Sequence, residues 1–138
     1  KIIDQTPKCN DEKVKNEAVR VFIAKIRPDL IQSLIDEEIN ESDLREYAYD
    51  KGLNVEDVLE KEKEKLKKNF SAKADVSLQV TKIQNIRTEK LEKDIHKCNC
   101  VADIENTNLK PIKIFYTAQK TEDSSDGVYV ETTYELKE

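Results

Sequence analysis

His96-x-Cys98-x-Cys100 is the densest group of chemistry-bearing side chains in a 138-residue chain that holds one His and three Cys. Together with Cys9 it offers imidazole and thiolate, the ligand types that hold zinc. The spacing counts against a metal centre. Alternation of this kind predicts a strand, along which positions i and i+4 stand roughly 13 Å apart. Zinc draws its ligand atoms to about 2.0–2.3 Å, and three alternate residues of one straight strand do not converge so closely. No metal is expected.

A redox Cys-x-Cys pair is the second chemistry to weigh. Extended residues at i and i+2 have Cα atoms about 6.6 Å apart, near the upper limit for an unstrained disulfide. A reactive thiolate also wants a helix N-terminus or a cationic setting, and a core-facing strand position offers neither. The expectation is structural. Cys98 and Cys100 are small buried residues, one of them bridged to Cys9 and the other left over. Closing a loop of ~90 residues contributes roughly 4–5 kcal/mol in the chain-entropy account.

Other catalytic templates are missing. The sequence has no Gly-rich phosphate loop, no Gly-x-Ser-x-Gly elbow and no His-Glu-x-x-His. A Ser-His-Asp triad would have to use His96, which falls on the expected core face beside the cysteines. No catalytic residue and no cofactor are expected.

These residues need elements to position them, and the pattern changes once along the chain. Residues 1–72 read as helical and 73–138 as strands of one single domain. Asp11 and Glu12 suit the first turn of a helix whose stripe is Val14, Ala18, Phe22 and Ile26. Pro28 is expected to close it, because the residue before a proline avoids the α region. A short helix follows, with Leu30, Leu34 and Ile35 on its apolar face. A third starts near Ser42, carries Leu44, Tyr47 and Ala48, and stops at Gly52. Asn54 with Asp57 reads as the cap of a fourth, bearing Val55, Val58, Leu59 and Leu66. Its alternating charges from Glu60 to Lys65 read as a solvated face.

From Ala74 the period becomes two. Ala74, Val76, Leu78 and Val80 predict a half-buried strand, with a bulge near Lys82 where the phase slips. A second strand places His96, Cys98, Cys100, Ala102 and Ile104 on one face. Ile112, Ile114, Tyr116 and Ala118 point inward from a third. A turn from Glu122 to Gly127 leads to a fourth, with Val128, Val130, Thr132, Tyr134 and Leu136 on its apolar side. Four such strands with short polar connections describe an antiparallel meander. The fold class is α+β, with N-terminal helices packed on one face of a curved four-stranded sheet.

Composition narrows the function. The 24 basic and 29 acidic residues give a net charge of −5, which argues against a nucleic-acid partner bound through its phosphates. No apolar run approaches the ~20 residues that cross a bilayer, so no transmembrane segment is expected. Between Asp29 and Glu60, eleven acids face only Arg45 and Lys51, a local net of −9. Asp36, Glu37 and Glu38 are the candidate patch within that segment, whose field would steer a basic protein partner. The start at Lys1-Ile2-Ile3-Asp4 reads as a mature chain whose leader has gone. Thr6-Pro7-Lys8 before Cys9 is no lipobox, so direct lipidation of Cys9 is not expected.

The chain resembles a group of small exported bacterial proteins of uncharacterised function, many of them lipoprotein-like. The resemblance rests on Lys8-Cys9-Asn10-Asp11 with Val14, on Ile83-x-x-Ile86-Arg87-Thr88 and on Cys100-x-Ala102-Asp103-Ile104. It continues through Ile114-x-Tyr116-Thr117-x-Gln119-x-Thr121-x-Asp123 and Gly127-x-Tyr129-Val130. It implies export to the periplasm or beyond, and a Cys9–Cys100 disulfide with Cys98 as the extra free thiol. It implies no known activity. The leading expectation is a non-enzymatic exported protein that binds another macromolecule, as an accessory or inhibitory factor. The alternative is a small-ligand-binding or enzymatic cone-like domain, with His96, Tyr116 and Tyr134 lining a pocket between helices and sheet.

Overall fold

Three helices precede four strands in the computed structural model, which describes residues 5–121 and 127–137. The helices are α1 (Glu12–Glu38), α2 (Glu41–Lys51) and α3 (Val55–Leu78). The strands are β1 (Lys82–Glu92), β2 (Lys97–Glu105), β3 (Ile112–Lys120) and β4 (Val128–Leu136), with a short 3-10 turn at Lys93–Ile95. The class is α+β, as the patterning predicts. The chain divides into two compact units, one joining residues up to Lys25 with those from Val80 onward, the other spanning Ile26–Gln79.

In the first unit the four strands form an antiparallel meander in the order β1-β2-β3-β4. Cys100 stands opposite Tyr116, and Tyr116 opposite Thr132. Period-two alternation gives β2, β3 and β4 a common buried face of Cys98, Cys100, Ala102, Ile112, Ile114, Tyr116, Ala118, Val130 and Thr132. The start of α1 contributes Val14, Ala18 and Phe22, all buried and four residues apart. The Phe22 ring meets Tyr134 edge-on, with centroids 5.4 Å apart and planes at 84°. Burial of such a ring contributes about 1.5–3 kcal/mol. Lys25 donates its ammonium to the Thr132 carbonyl. Leu136, expected inward at the end of β4, is exposed.

The second unit holds the end of α1 together with α2 and α3. Ile31, Ile35, Leu66 and Ala74 are buried together, with Leu30, Ile39 and Phe70 packed alongside. Arg27 on α1 pairs with Asp75 on α3 at 2.7 Å. The cap signals hold. The Asn40 side chain accepts from the Asp43 N–H and that of Asn54 from the Asp57 N–H, each at 3.1 Å. Gly52 ends α2 at φ +67°, where its N–H bonds back to the last turn.

Four expectations are corrected. Pro28 does not close the first helix; α1 runs through it to Glu38. Pro28 removes one donor from the ladder, but Leu30, Ile31, Leu34 and Ile35 keep the helical stripe going beyond it. The stretch from Ala74 to Leu78 is the last turn of α3 rather than a strand. Ala74 and Leu78 are buried one turn apart, continuing the Leu59, Leu66, Phe70 seam, while Val76 and Val80 are exposed. The first strand is instead β1, whose register slips twice, between Gln84 and Arg87 and between Thr88 and Lys90, rather than at Lys82. His96 is not on the β2 face; it ends the 3-10 turn at φ +51°. The expected turn from Glu122 to Gly127 lies outside the described residues up to Asp126. Thr121 N–H donates to the Gly127 carbonyl at 3.0 Å.

Candidate functional site

The cysteines lie where the N-terminal segment meets β2. Cys9 and Cys100 are joined by a disulfide with Cα atoms 5.7 Å apart, linking positions 91 residues distant in sequence. The pairing is the one the resemblance implies. Cys98 is the free thiol, and it is buried. Its Sγ lies 2.8 Å from Cys9 Sγ and 3.7 Å from Cys100 Sγ. All three sulfurs fall within 4.8 Å of one another. Two strand cysteines therefore do converge, because side chains at i and i+2 leave the same face and lean together. His96 takes no part in the set.

Two neighbours finish this corner. The Tyr116 hydroxyl donates to the Cys9 carbonyl at 2.7 Å, and the Thr88 hydroxyl from β1 donates to Cys9 Sγ at 3.5 Å. Burial pushes the Cys98 thiol pKa up, against smaller lowering contributions from hydrogen bonds to Thr88 and the Cys9 backbone. Burial also drives the Tyr116 phenol well above its usual range. Among the described residues this corner presents one thiol and one disulfide, not three thiolates.

The residues considered for a pocket have separate settings. Tyr116 is packed in the sheet core with its hydroxyl committed to Cys9. Tyr134 is half-buried beside Phe22. His96 receives the Lys120 N–H on its carbonyl at 3.1 Å, and its ring Nδ1 is buried with no hydrogen-bond partner among the described residues. A cleft of about 630 Å³ opens beside the N-terminal segment. Its wall includes Gln5, Lys8, Asp11 and Lys120, but none of these three residues. Lys120 reaches the Gln5 side-chain oxygen there.

The acidic run occupies the second unit. Asp36, Glu37 and Glu38 are exposed at the C-terminal end of α1, whose last turn holds no base. That end carries the negative pole of the helix, so three further negative charges there oppose the fold rather than support it. Next in the chain, α2 and α3 enclose a groove of about 620 Å³. Leu44, Tyr47, Leu53 and Val58 supply its apolar lining, and Asp57, Lys61, Glu62 and Lys65 its charged one. Tyr47 is 51% exposed, Leu53 49% and Tyr49 86%.

Patterning marks Leu44, Tyr47 and Val58 as helix-face residues but does not single out the groove. One signal was present. Tyr47 and Tyr49 flank Ala48, and residues two apart on a helix point about 200° apart. Once Ala48 is buried, the two large rings have to spread toward solvent. Among the described residues no helix is long and apolar enough to cross a membrane. Comparison with protein-family models, with curated proteins and with solved structures finds no match to this chain.

Proposed function

We propose that this is a non-enzymatic exported protein that works by binding another protein, as an accessory or inhibitory factor. The groove between α2 and α3 is its docking face. The observation that carries this reading is the pair Tyr47 and Leu53, each about half exposed on an apolar groove. They sit within a stretch whose local charge is −9. Single exposed apolar side chains are ordinary, but Leu44, Tyr47, Leu53 and Val58 line one groove together, and a contiguous apolar patch of this kind marks a docking face. Aromatic anchors of this kind tend to supply most of the energy of a protein interface. The groove's own charged lining is balanced, Asp57 and Glu62 against Lys61 and Lys65. The preference for a basic segment carrying one or two apolar side chains comes from the acids of the stretch from Asp29 to Glu60, which would accelerate its arrival. Export to a bacterial periplasm or exterior is part of the same proposal, supported by the Cys9–Cys100 disulfide, which suits an oxidising compartment.

Selection from a displayed random peptide library tests the docking face. Recovered peptides should combine Lys or Arg with Leu, Phe or Trp. They should lose about tenfold or more in affinity against the Tyr47→Ala/Leu53→Ala variant, the loss typical of an anchor worth 1.4 kcal/mol. Enrichment of acidic peptides, or equal binding by the double variant, would overturn it.

A further inference from the structure

We propose that Cys9 has two interchangeable partners, and that Cys98 exchanges with Cys100 for the bridge to the N-terminal segment without any external oxidant or reductant. The observation is the three-sulfur cluster. The Cys98 sulfur lies 2.8 Å from that of Cys9, closer than to Cys100 at 3.7 Å. Both strand cysteines belong to β2 and are buried on one face. Exchange needs the attacking sulfur in line with the bond that breaks, and Cys98 at 3.7 Å from Cys100 stands to the side of it. Its side chain must therefore rotate behind Cys9 Sγ, with a short slide of the N-terminal segment and β2 left in register.

The step balances within the chain. The Cys98 thiol gives up its proton and its thiolate attacks Cys9 Sγ. The Cys9–Cys98 bond forms as the Cys9–Cys100 bond breaks, and Cys100 leaves as a thiolate that takes up one proton. One disulfide and one thiol stand on each side, so nothing is oxidised or reduced overall. The Thr88 hydroxyl, which lies 3.5 Å from Cys9 Sγ and also acts on the Cys98 thiol, is placed to donate to the attacking Cys98 thiolate. The titratable groups acting on Cys98 are Asp11 from the N-terminal segment and the Tyr116 phenol from β3. Neither supplies positive charge, and burial holds the thiol protonated. The exchange is therefore slow near neutrality and quickens as pH rises.

The consequence is a tether with two settings. Cys98 and Cys100 lie about 6.6 Å apart along the strand. Changing partner repositions the segment that forms one wall of the cleft at Gln5, Lys8 and Asp11. It also breaks or remakes the hydrogen bond from Tyr116 to the Cys9 carbonyl.

Differential alkylation of the full chain tests the exchange. The protein is held without reductant at pH 7 and at pH 9, quenched in acid and labelled with N-ethylmaleimide under denaturing acidic conditions. It is then reduced, labelled with iodoacetamide and sequenced by tandem mass spectrometry across Cys98 and Cys100. Maleimide should begin on Cys98 and appear on Cys100 with first-order kinetics, faster at pH 9 and unchanged by protein concentration. A maleimide label confined to Cys98 at both pH values, or a rate that scales with concentration, would falsify the proposal. The Cys100→Ser variant gives an independent reading. Incubated with oxidised glutathione as the oxidant, it should form a Cys9–Cys98 bridge with no free thiol, whereas two persistent free thiols in the folded variant under the same conditions would count against exchange.

Discussion

Asn85 stands in a left-handed conformation at φ +56° and donates its side-chain amide to Asp103 across the β1–β2 ladder at 2.9 Å. It lies within the first register slip of β1, where an extra residue bends the strand. Lys137 meets the other Asp103 oxygen at 2.6 Å, so one carboxylate ties the bulge on β1 to the chain beyond β4. Asn is among the few residues other than Gly that visit this backbone region readily.

Substitution separates the two roles of Asn85. Asn85→Gly should lose the side-chain bond but keep the backbone at ease, whereas Asn85→Ala should lose both. Ala is expected to cost about 1–2 kcal/mol and Gly less than Ala, read from urea midpoints at constant m. Equal losses would show that conformation contributes nothing.

Acid titration should reveal the same carboxylate. Hydrogen bonding to Lys137 and then to Asn85 holds the Asp103 carboxyl below its ordinary pKa. A depressed folded pKa gives stability that is complete above the unfolded value near 3.9 and is lost as pH falls through the folded one. Asp103→Asn should flatten that part of the acid limb of the stability profile while shifting the neutral plateau downward. An unchanged limb in the variant would assign acid sensitivity elsewhere.

Tyr116→Phe removes one hydroxyl and leaves the Cys9 carbonyl buried without that donor. Leaving a buried acceptor unsatisfied costs about 1–3 kcal/mol. The loss should appear in denaturant unfolding with the disulfide intact, since Tyr116 makes no covalent part of the bridge. A loss below about 0.5 kcal/mol would mean that water reaches the carbonyl in the variant.

The acids at the end of α1 should trade stability for recognition. Glu38→Lys places a cation at the negative pole of the helix and is expected to stabilise by about 0.3–1 kcal/mol at low salt, fading as salt rises. Reversing Asp36, Glu37 and Glu38 together should slow association with the basic peptides recovered by the groove while dissociation changes little. Stabilisation without any change in association would leave the charge run with no part in recognition.

Much of this fold was legible because its signals are local. Asn40 and Asn54 as caps, Gly52 as a left-handed stop, and the alternation through Cys98, Cys100, Ile112, Ile114 and Val130 each act within a few residues. The misreadings arose where two periods coincide. Ala74 and Leu78 fit a strand face and a helix face equally, and only the packed seam from Leu59 onward decides for the helix. β1 does not stand out in the sequence because its apolar residues are sparse and its two slips break the alternation. The cysteines were legible as a structural set, but the approach of Cys98 to Cys9 depends on how side chains lean across a formed strand. The groove depends on the angle between two helices, which no short stretch of sequence encodes.

The two slips in β1 also bear on how this protein survives at high concentration. An outer strand offers a row of free amide and carbonyl groups, and a flat regular row invites a second chain to add itself and begin a fibril. Here the row is broken at Asn85 and again near Glu89, and Lys82, Arg87 and Lys90 stand exposed along it. An incoming strand would meet donors out of step and positive charge at each attempt. The same irregularity that made β1 hard to foresee leaves this margin of the sheet poorly suited to templating aggregation.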